Sequence, residues 1–399
     1  MRTFTSSSVN GPASGQRYVL RGGAWNSSAR ACRAAHRVGE APGMADACFA
    51  RDAIGLRCVR KATEERPVPQ ETRRPASSAT GLAYDPVYLK HRTGLGHPER
   101  PERLRAIIRR LEETGLADHL VRIPAQPAPL EWVHRVHAPQ YVERVRSSCQ
   151  SGIGWVDSPD APASSDSYEV ALMAVGGVLA AVDAVVEGRV RNAFCAVRPP
   201  GHHALPNHAM GFCLLNNVAI AARYAQERHS LRRVLIVDWD VHHGNGTQEV
   251  FYRDPAVFYF SVHQHPFYPG TGSQSERGAG EGLGYTLNVP LPPGSGDEAY
   301  QRVFEEIFEP AARRFDPDFV LISAGFDAHQ DDLLGGMVVS TEQFAWMTRS
   351  VKGIAETCCR GRLVSVLEGG YELTGLAHAV EAHLRVLAEP MDGPPRQPP

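Results

Sequence analysis

None of the eight cysteines (Cys32, Cys48, Cys58, Cys149, Cys195, Cys213, Cys358 and Cys359) forms a CxxC pair. That excludes the usual paired-thiolate zinc sites and thioredoxin-type redox motifs. Cys195 and Cys213 lie in apolar stretches, as inert buried thiols do, and the chain reads as the product of a reducing, cytoplasmic compartment. The start, MRTFTSSSVNGPASG, has no apolar h-region, so no secretory signal is expected. No long apolar run is present either. The most apolar segment, VALMAVGGVLAAV (170–182), stops before Asp183 and suits a buried helix rather than a membrane span. A formal net charge of -2 supplies no field of one sign to attract nucleic acid or an anionic membrane. No direct nucleic-acid or membrane partner is expected. No internal repeat of solenoid length is visible.

What is present is room for one large domain and a smaller piece: 399 residues, 43% of them hydrophobic. The stretch TEERPVPQETRRPASSATG (63–81), with its prolines, charges and lack of apolar periodicity, reads as a linker. The expected organisation is an N-terminal segment over 1–62, a linker over 63–82, a main domain over 83–390 and a disordered tail over 391–399. In the main domain, helical patterns alternate with short apolar runs: FCAV (194–197), VLIV (234–237), VFYFSV (257–262), FVLIS (319–323) and LVSVL (363–367). Such alternation implies an α/β fold, a parallel sheet covered by helices on both faces.

Each run leads into polar, glycine-rich chemistry: RPPGHHA, DWDVHHGNG, HQHPFYPGTG, AGFDAH and EGGYEL. In an open α/β sheet a ligand site forms beyond the carboxyl ends of the strands, so five such loops predict one shared pocket. The densest is DWDVHHGNGTQ (238–248). On a strand that stays extended, Asp238, Asp240 and His242 project to the same side and converge on one ion. Mixed oxygen and nitrogen donors suit a borderline divalent metal such as zinc, and three protein ligands with an open position mark a catalytic site. The bland alternative, aspartates capping turns beside satisfied histidines, fits a lone pair better than five convergent loops.

In this order the loops resemble the histone deacetylase family, including its acetylpolyamine amidohydrolases and bacterial deacetylase-like amidohydrolases. The likeness runs from about Ala83 to about Leu387. It rests on GHPERPERL (96–104), RPPGHHA (198–204), GFCLLNN (211–217), DWDVHHGNGTQ, PGTG (269–272), SAGFDAH (323–329) and LEGGYEL (367–373). The resemblance implies the three-layer arginase-deacetylase fold, a central parallel sheet flanked by helices, here with a small N-terminal appendage. It implies metal ligands Asp240, His242 and Asp327 around one zinc per chain, with iron or cobalt as alternatives. It further implies His203 as the main base and later acid, His202 as its electrostatic partner, Asp238 and Asn245 as the groups orienting His202 and His203, and Tyr371 as the donor to the substrate oxyanion. Asp238 and Ser261 match residues around a structural potassium site of relatives.

The implied reaction is metal-assisted hydrolysis of a linear amide. Phe212 and Phe267 or Tyr268 match the walls of a narrow aromatic tunnel, with Gly370 beside it. Leu334 stands where a polyamine-selective relative carries an acidic gatekeeper, which tilts the expectation toward acetyl-lysine or a small acetylated amine; acetylpolyamine hydrolysis and silent acyl-lysine binding are the rivals. Leu333 replaces the family's usual proline. Asp157 or Asp160 supplies the rim carboxylate, and Arg103 matches an arginine of the interior product channel. A ureohydrolase on the same fold would use two metals, against the GHHA and EGGY pattern here. Homo-oligomerisation is left open.

Before the linker, VLRGGAWNSSARACRAAHRVG and AIGLRCVR (53–60) resemble the last segment of the formylglycine-generating, sulfatase-modifying enzyme domain. Ser27 stands at the first cysteine position of that domain and Cys32 at the second, so oxidase activity is not expected. A block this small lacks the aliphatic residues for its own core and reads as a truncated fusion remnant.

Overall fold

The computed structural model describes residues 18–21, 37–40 and 79–390, and the chain divides into two units, Met1–Thr72 and Arg73–Pro399. In the first, strands β1 (Tyr18–Arg21) and β2 (Arg37–Glu40) pair antiparallel, with Tyr18 opposite Glu40. The expectations for the rest of 1–62 and for the 391–399 tail fall outside the described residues.

The second unit is built on an eight-stranded sheet. Its strands are β3 (Thr80–Ala83), β4 (Leu120–Ile123), β7 (Asn192–Cys195), β8 (Val234–Asp238), β9 (Val257–Gln264), β10 (Thr286–Leu291), β11 (Phe319–Ala324) and β12 (Leu363–Leu367), and β5 (Trp155–Val156) and β6 (Ser158–Pro162) form a small separate ribbon. The order is β10-β9-β8-β11-β12-β7-β3-β4, and every pairing is parallel. This is the arginase-deacetylase type of α/β architecture expected from the alternating pattern. Strands buried on both faces read as unbroken apolar runs, and VLIVD, VFYFSVHQ, FVLISA and LVSVL are buried at every position.

Three strands of this sheet were not anticipated. TGLA and LVRI are too short to show a period, and TLNVPL is interrupted by asparagine and proline. Residues 80–82, expected in the linker, belong to the sheet as part of β3.

Helices cover both faces. Helix α1 (Glu102–Glu113) buries Leu104, Ile107 and Leu111 at helical spacing, and Arg103 with them. The apolar helix α2 (Ser167–Val186) is 20 residues long with a mean hydropathy of 2.0 and is 72% buried over its most apolar window. It packs over β3, β4, β7 and β12, which explains an apolar surface that runs nearly all the way round it. Helix α3 (Asn245–Phe251) follows β8, and helix α4 (Leu373–Ala388) follows β12 and packs on α1. The five described cysteines are free thiols, with Cys195 and Cys213 fully buried.

Parallel strands end together. The register sets Asp238 between Ser261 of β9 and Ser323 of β11, and sets Ser323 beside Val366 of β12. All the polar loops singled out in the sequence therefore leave the sheet at one edge.

Candidate active site

Asp238 is the last residue of β8, so the chain is no longer extended where the sequence argument needed it to be. A tight turn replaces the strand: the Asp240 N–H donates to Asp238 Oδ1 at 3.2 Å, and the His242 N–H to Asp240 Oδ1 at 2.9 Å. The turn separates roles that a straight strand would have merged. Asp240 and His242 meet Asp327 from the loop after β11, and one ligand atom from each lies within 4.8 Å of the others. Asp238 instead faces His202, at 3.1 Å from its Nδ1, and also accepts from the Tyr259 hydroxyl at 3.0 Å.

The Asp240–His242–Asp327 group fits a divalent cation. Both carboxylates are buried, and among the described residues neither pairs with a lysine or arginine; their ion-pair partners are imidazoles. Two buried anions this close need a compensating positive charge. His242 Nδ1 lies 3.1 Å from Asp240 Oδ1 and 3.2 Å from Asp327 Oδ2. Burial would lower the His242 ring, but hydrogen bonds to the two aspartates outweigh it and raise it to about 10. Burial also opposes ionisation of Asp240, yet His202 and His242 hold its carboxyl well below the usual range. Burial and the Asp240 charge raise Asp327 to about 7. The remaining carboxylate oxygens are aligned by backbone: Val241 N–H donates to Asp327 Oδ1 at 2.8 Å and Gly369 N–H to Asp240 Oδ2 at 2.8 Å.

His202 and His203 come from the loop after β7, their ring centroids 4.0 Å apart. His203 Nδ1 is 2.8 Å from Asn245 Oδ1 at the start of α3. Burial lowers both rings, but the results differ. Asp240 and Asp238 raise His202 to about 10, whereas His203, facing His202 and His242 with only a neutral amide behind it, is held well below the ordinary histidine value. The two adjacent rings are thus driven in opposite directions.

Tyr371 is buried, with its ring edge-on to Phe212 at 5.9 Å and 5.0 Å beneath the Arg103 guanidinium. The two glycines before it are required by space. A Cβ on Gly369 would lie 2.0 Å from Asp327 Oδ2, and Gly370 adopts φ +115°. Arg103, matched in the sequence to an interior channel arginine, is fully buried; its Nε donates to Gly370 O and its Nη2 to Glu368 O, each at 2.5 Å.

Aromatic walls surround the pair of histidines. Phe267 stacks on His242 at 5.2 Å, and Tyr268 stands edge-on to His203 at 5.1 Å. Opposite, Phe212 takes a left-handed backbone (φ 67°), and its N–H donates to Asp160 O at 2.9 Å. The two rim aspartates differ. Asp160 Oδ2 accepts from Tyr268 OH at 2.7 Å and Gly211 N–H at 2.8 Å, which places it in the wall itself. Asp157 is tied to Arg144 at 2.6 Å and to the Ala209 N–H at 2.9 Å. Leu334 lies half-buried in the loop that reaches Tyr371, while Leu333 is 67% exposed. Ser261 bonds His263 Nδ1 at 2.9 Å and lies beside Asp238 in the register.

Two carboxylates of this site were missed in the sequence. Glu368 directly follows β12 and, among the described residues, has no lysine or arginine on its carboxylate; it accepts from the Gly201 N–H at 2.6 Å and the His202 N–H at 3.2 Å, and burial raises it to about 7. An acid closing the run LVSVL was the available signal. Asp332 accepts from the Tyr371 N–H at 2.6 Å, and nothing in DDLLGG announces that contact.

Comparison with known proteins agrees with this geometry. A family model described as "Histone deacetylase domain" matches residues 97–387. A "Probable deacetylase" of Archaeoglobus fulgidus is 44% identical over 298 residues, covering 74% of this chain and 82% of that protein. The "Histone deacetylase-like amidohydrolase" of Pseudomonas aeruginosa is 41% identical over 309 residues, covering 74% and 81%. Among solved structures, "Crystal Structure of HDA15 HD domain" superposes with a TM-score of 0.75 at 40% identity, covering 78% of this chain and 90% of that one.

Proposed function

Because this chain belongs to the histone deacetylase family, we propose that it is a metal-dependent amidohydrolase. Its substrates are acetyl-lysine side chains or similar linear aliphatic N-acetyl amines. The observation that carries the reading is a pair of buried histidines, one backed by an aspartate and the other by an asparagine, beside an ion-binding triad inside an aromatic wall. Asp240, His242 and Asp327 would hold the cation, with zinc, iron and cobalt as the candidates. When bound, it supplies Lewis acidity toward an amide carbonyl and a water molecule.

The chain's own groups carry the proton movements. Asn245 Oδ1 accepts from His203 Nδ1–H, which leaves the lone pair on Nε2. His203 Nε2 takes the proton of the attacking water and later delivers it to the leaving amine. His202, kept cationic by Asp238 and Asp240, balances the negative charge that builds during attack. Among the described residues nothing hydrogen-bonds the Tyr371 hydroxyl, so it is available to donate to the substrate oxygen, a role worth on the order of 10²–10³ in rate. Phe212, Phe267 and Tyr268 exclude water from the alkyl chain and admit an unbranched one.

Leu334 at the rim supports acetyl-lysine over acetylated polyamines, because a leucine offers no partner to a second cationic amine. The test is hydrolysis of acetyl-lysine peptides and acetylated polyamines by metal-reconstituted protein, with Tyr371→Phe and a chelated sample in parallel. Turnover of the peptides that disappears in both controls is expected. No amide turnover from protein that retains one metal per chain would leave a silent acyl-lysine binder instead.

A further inference from the structure

The segment 368–372 is suspended by its backbone. Arg103 holds the carbonyls of Glu368 and Gly370, Asp240 Oδ2 holds the Gly369 N–H, and Asp332 Oδ2 holds the N–H groups of Tyr371 and Glu372 at 2.6 and 3.2 Å. Two of these three holders, Asp240 and Arg103, sit in the candidate metal group or against the Tyr371 ring. Asp332 does not; it belongs to the loop after Asp327, which returns to the sheet edge through the Gln330 N–H to Val339 O bond at 2.9 Å and the Val339 N–H to Ala328 O bond at 3.1 Å. This is the loop that carries Leu333 and Leu334.

We propose that Asp332 is a positioning residue for Tyr371, fixing the phenol through the backbone amides of residues 371 and 372 and linking it to the rim loop. The inference rests on the amidohydrolase reading and names a further residue for that same site. Tyr371 has no hydrogen bond at its hydroxyl among the described residues, so beside its ring contacts with Phe212 and Arg103 it is held from the main-chain end. Gly370 before it, at φ +115°, offers little resistance to rotation of the following peptide. The amide bonds to Asp332 supply the resistance. The carboxylate is fully engaged in doing so: Oδ1 accepts from the Leu334 N–H at 2.9 Å, which ties the same side chain to the rim. A substrate pressing on Leu334 therefore acts on the one side chain that bonds both the rim and the tyrosine.

A purely structural role would lower stability and leave the chemistry of folded enzyme intact, so the test separates the two. Asp332→Ala and Asp332→Asn are measured with an acetyl-lysine peptide in the metal-loaded protein, alone and combined with Tyr371→Phe, alongside thermal melting. In Asp332→Ala, kcat is expected to fall on the order of 10–10²-fold with KM within about threefold, and Asp332→Asn, which keeps one acceptor oxygen, to recover part of the loss. In the Tyr371→Phe background either change should cost less than about twofold, because both act through one hydroxyl. Wild-type kcat in Asp332→Ala, or an undiminished loss on top of Tyr371→Phe, overturns the inference while the function stands. Should Asp332→Ala not fold, Asp332→Asn carries the same comparison. Full activity in Tyr371→Phe alone would overturn the proposed mechanism, and this inference with it.

Discussion

His203 Nδ1 lies 2.8 Å from Asn245 Oδ1, and this contact decides which ring nitrogen is free to take a proton. The acceptor is an amide rather than a carboxylate, so it sets the tautomer and contributes little to basicity. His202, one residue earlier, has a carboxylate behind it, and the two rings titrate apart for that reason.

Replacing Asn245 with Asp places a negative charge behind His203 and raises its pKa. A base that is harder to deprotonate becomes active only at higher pH, so the acidic limb of the kcat/KM profile should move upward by on the order of one unit. Asn245→Leu, which loses the acceptor, should lower kcat/KM by about 10–100-fold. An acidic limb that stays in place in Asn245→Asp would assign the titration to another group.

Glu368 anchors the histidine loop from beneath. Glu368→Leu leaves the Gly201 and His202 N–H groups buried without an acceptor, at a cost of about 1–3 kcal/mol each. A lower melting temperature and a fall in kcat are expected together, since the displaced backbone carries His202. Glu368→Gln, with one acceptor oxygen left, should lie between. Unchanged melting and turnover in Glu368→Leu would mean that other contacts hold the loop.

His383 offers a pH test away from the site. It is fully buried between Thr348 Oγ1 at 2.7 Å and Ser365 Oγ at 2.9 Å, and burial lowers its pKa to about 3. The folded-state pKa is depressed below the unfolded value near 6.5, so its contribution is complete above that pH. It is lost progressively as pH falls toward the folded value, because the unfolded chain binds the proton first. Asp327 and Glu368, raised to about 7, act in the opposite direction, so wild type minus variant is the quantity to measure. Between pH 7.5 and 5.5, denaturant unfolding of His383→Gln should lose about 1.4 kcal/mol less than wild type. Parallel pH dependence in the two proteins would show that His383 is protonated in the fold.

Much of the site was legible because its chemistry is written in residue types. Aspartates and histidines at the ends of apolar runs are costly unless they share a task, and five such ends on a parallel sheet face one place. The strands behind them were readable where burial on both faces made them unbroken, as in VLIV and LVSVL, and unreadable where proline, glycine or polar residues interrupted them, as in TLNVPL and TGLA. The extended-strand argument placed Asp238 with Asp240 and His242, and the turn beginning at Asp238 reassigned it to His202.

What the sequence by itself determined is the donor set, the α/β alternation and the family. Only the tertiary structure decided how those donors are held: that Arg103 is interior, that Glu368 supports the loop of His202, and that Asp332 reaches Tyr371. The physical reason is the nature of the partner. Each of these side chains bonds to a backbone N–H or C=O, a group that almost every residue carries, so no residue type marks where the contact will fall. Folding alone brings Glu368 to Gly201 and Arg103 to Gly370 across distant parts of the chain.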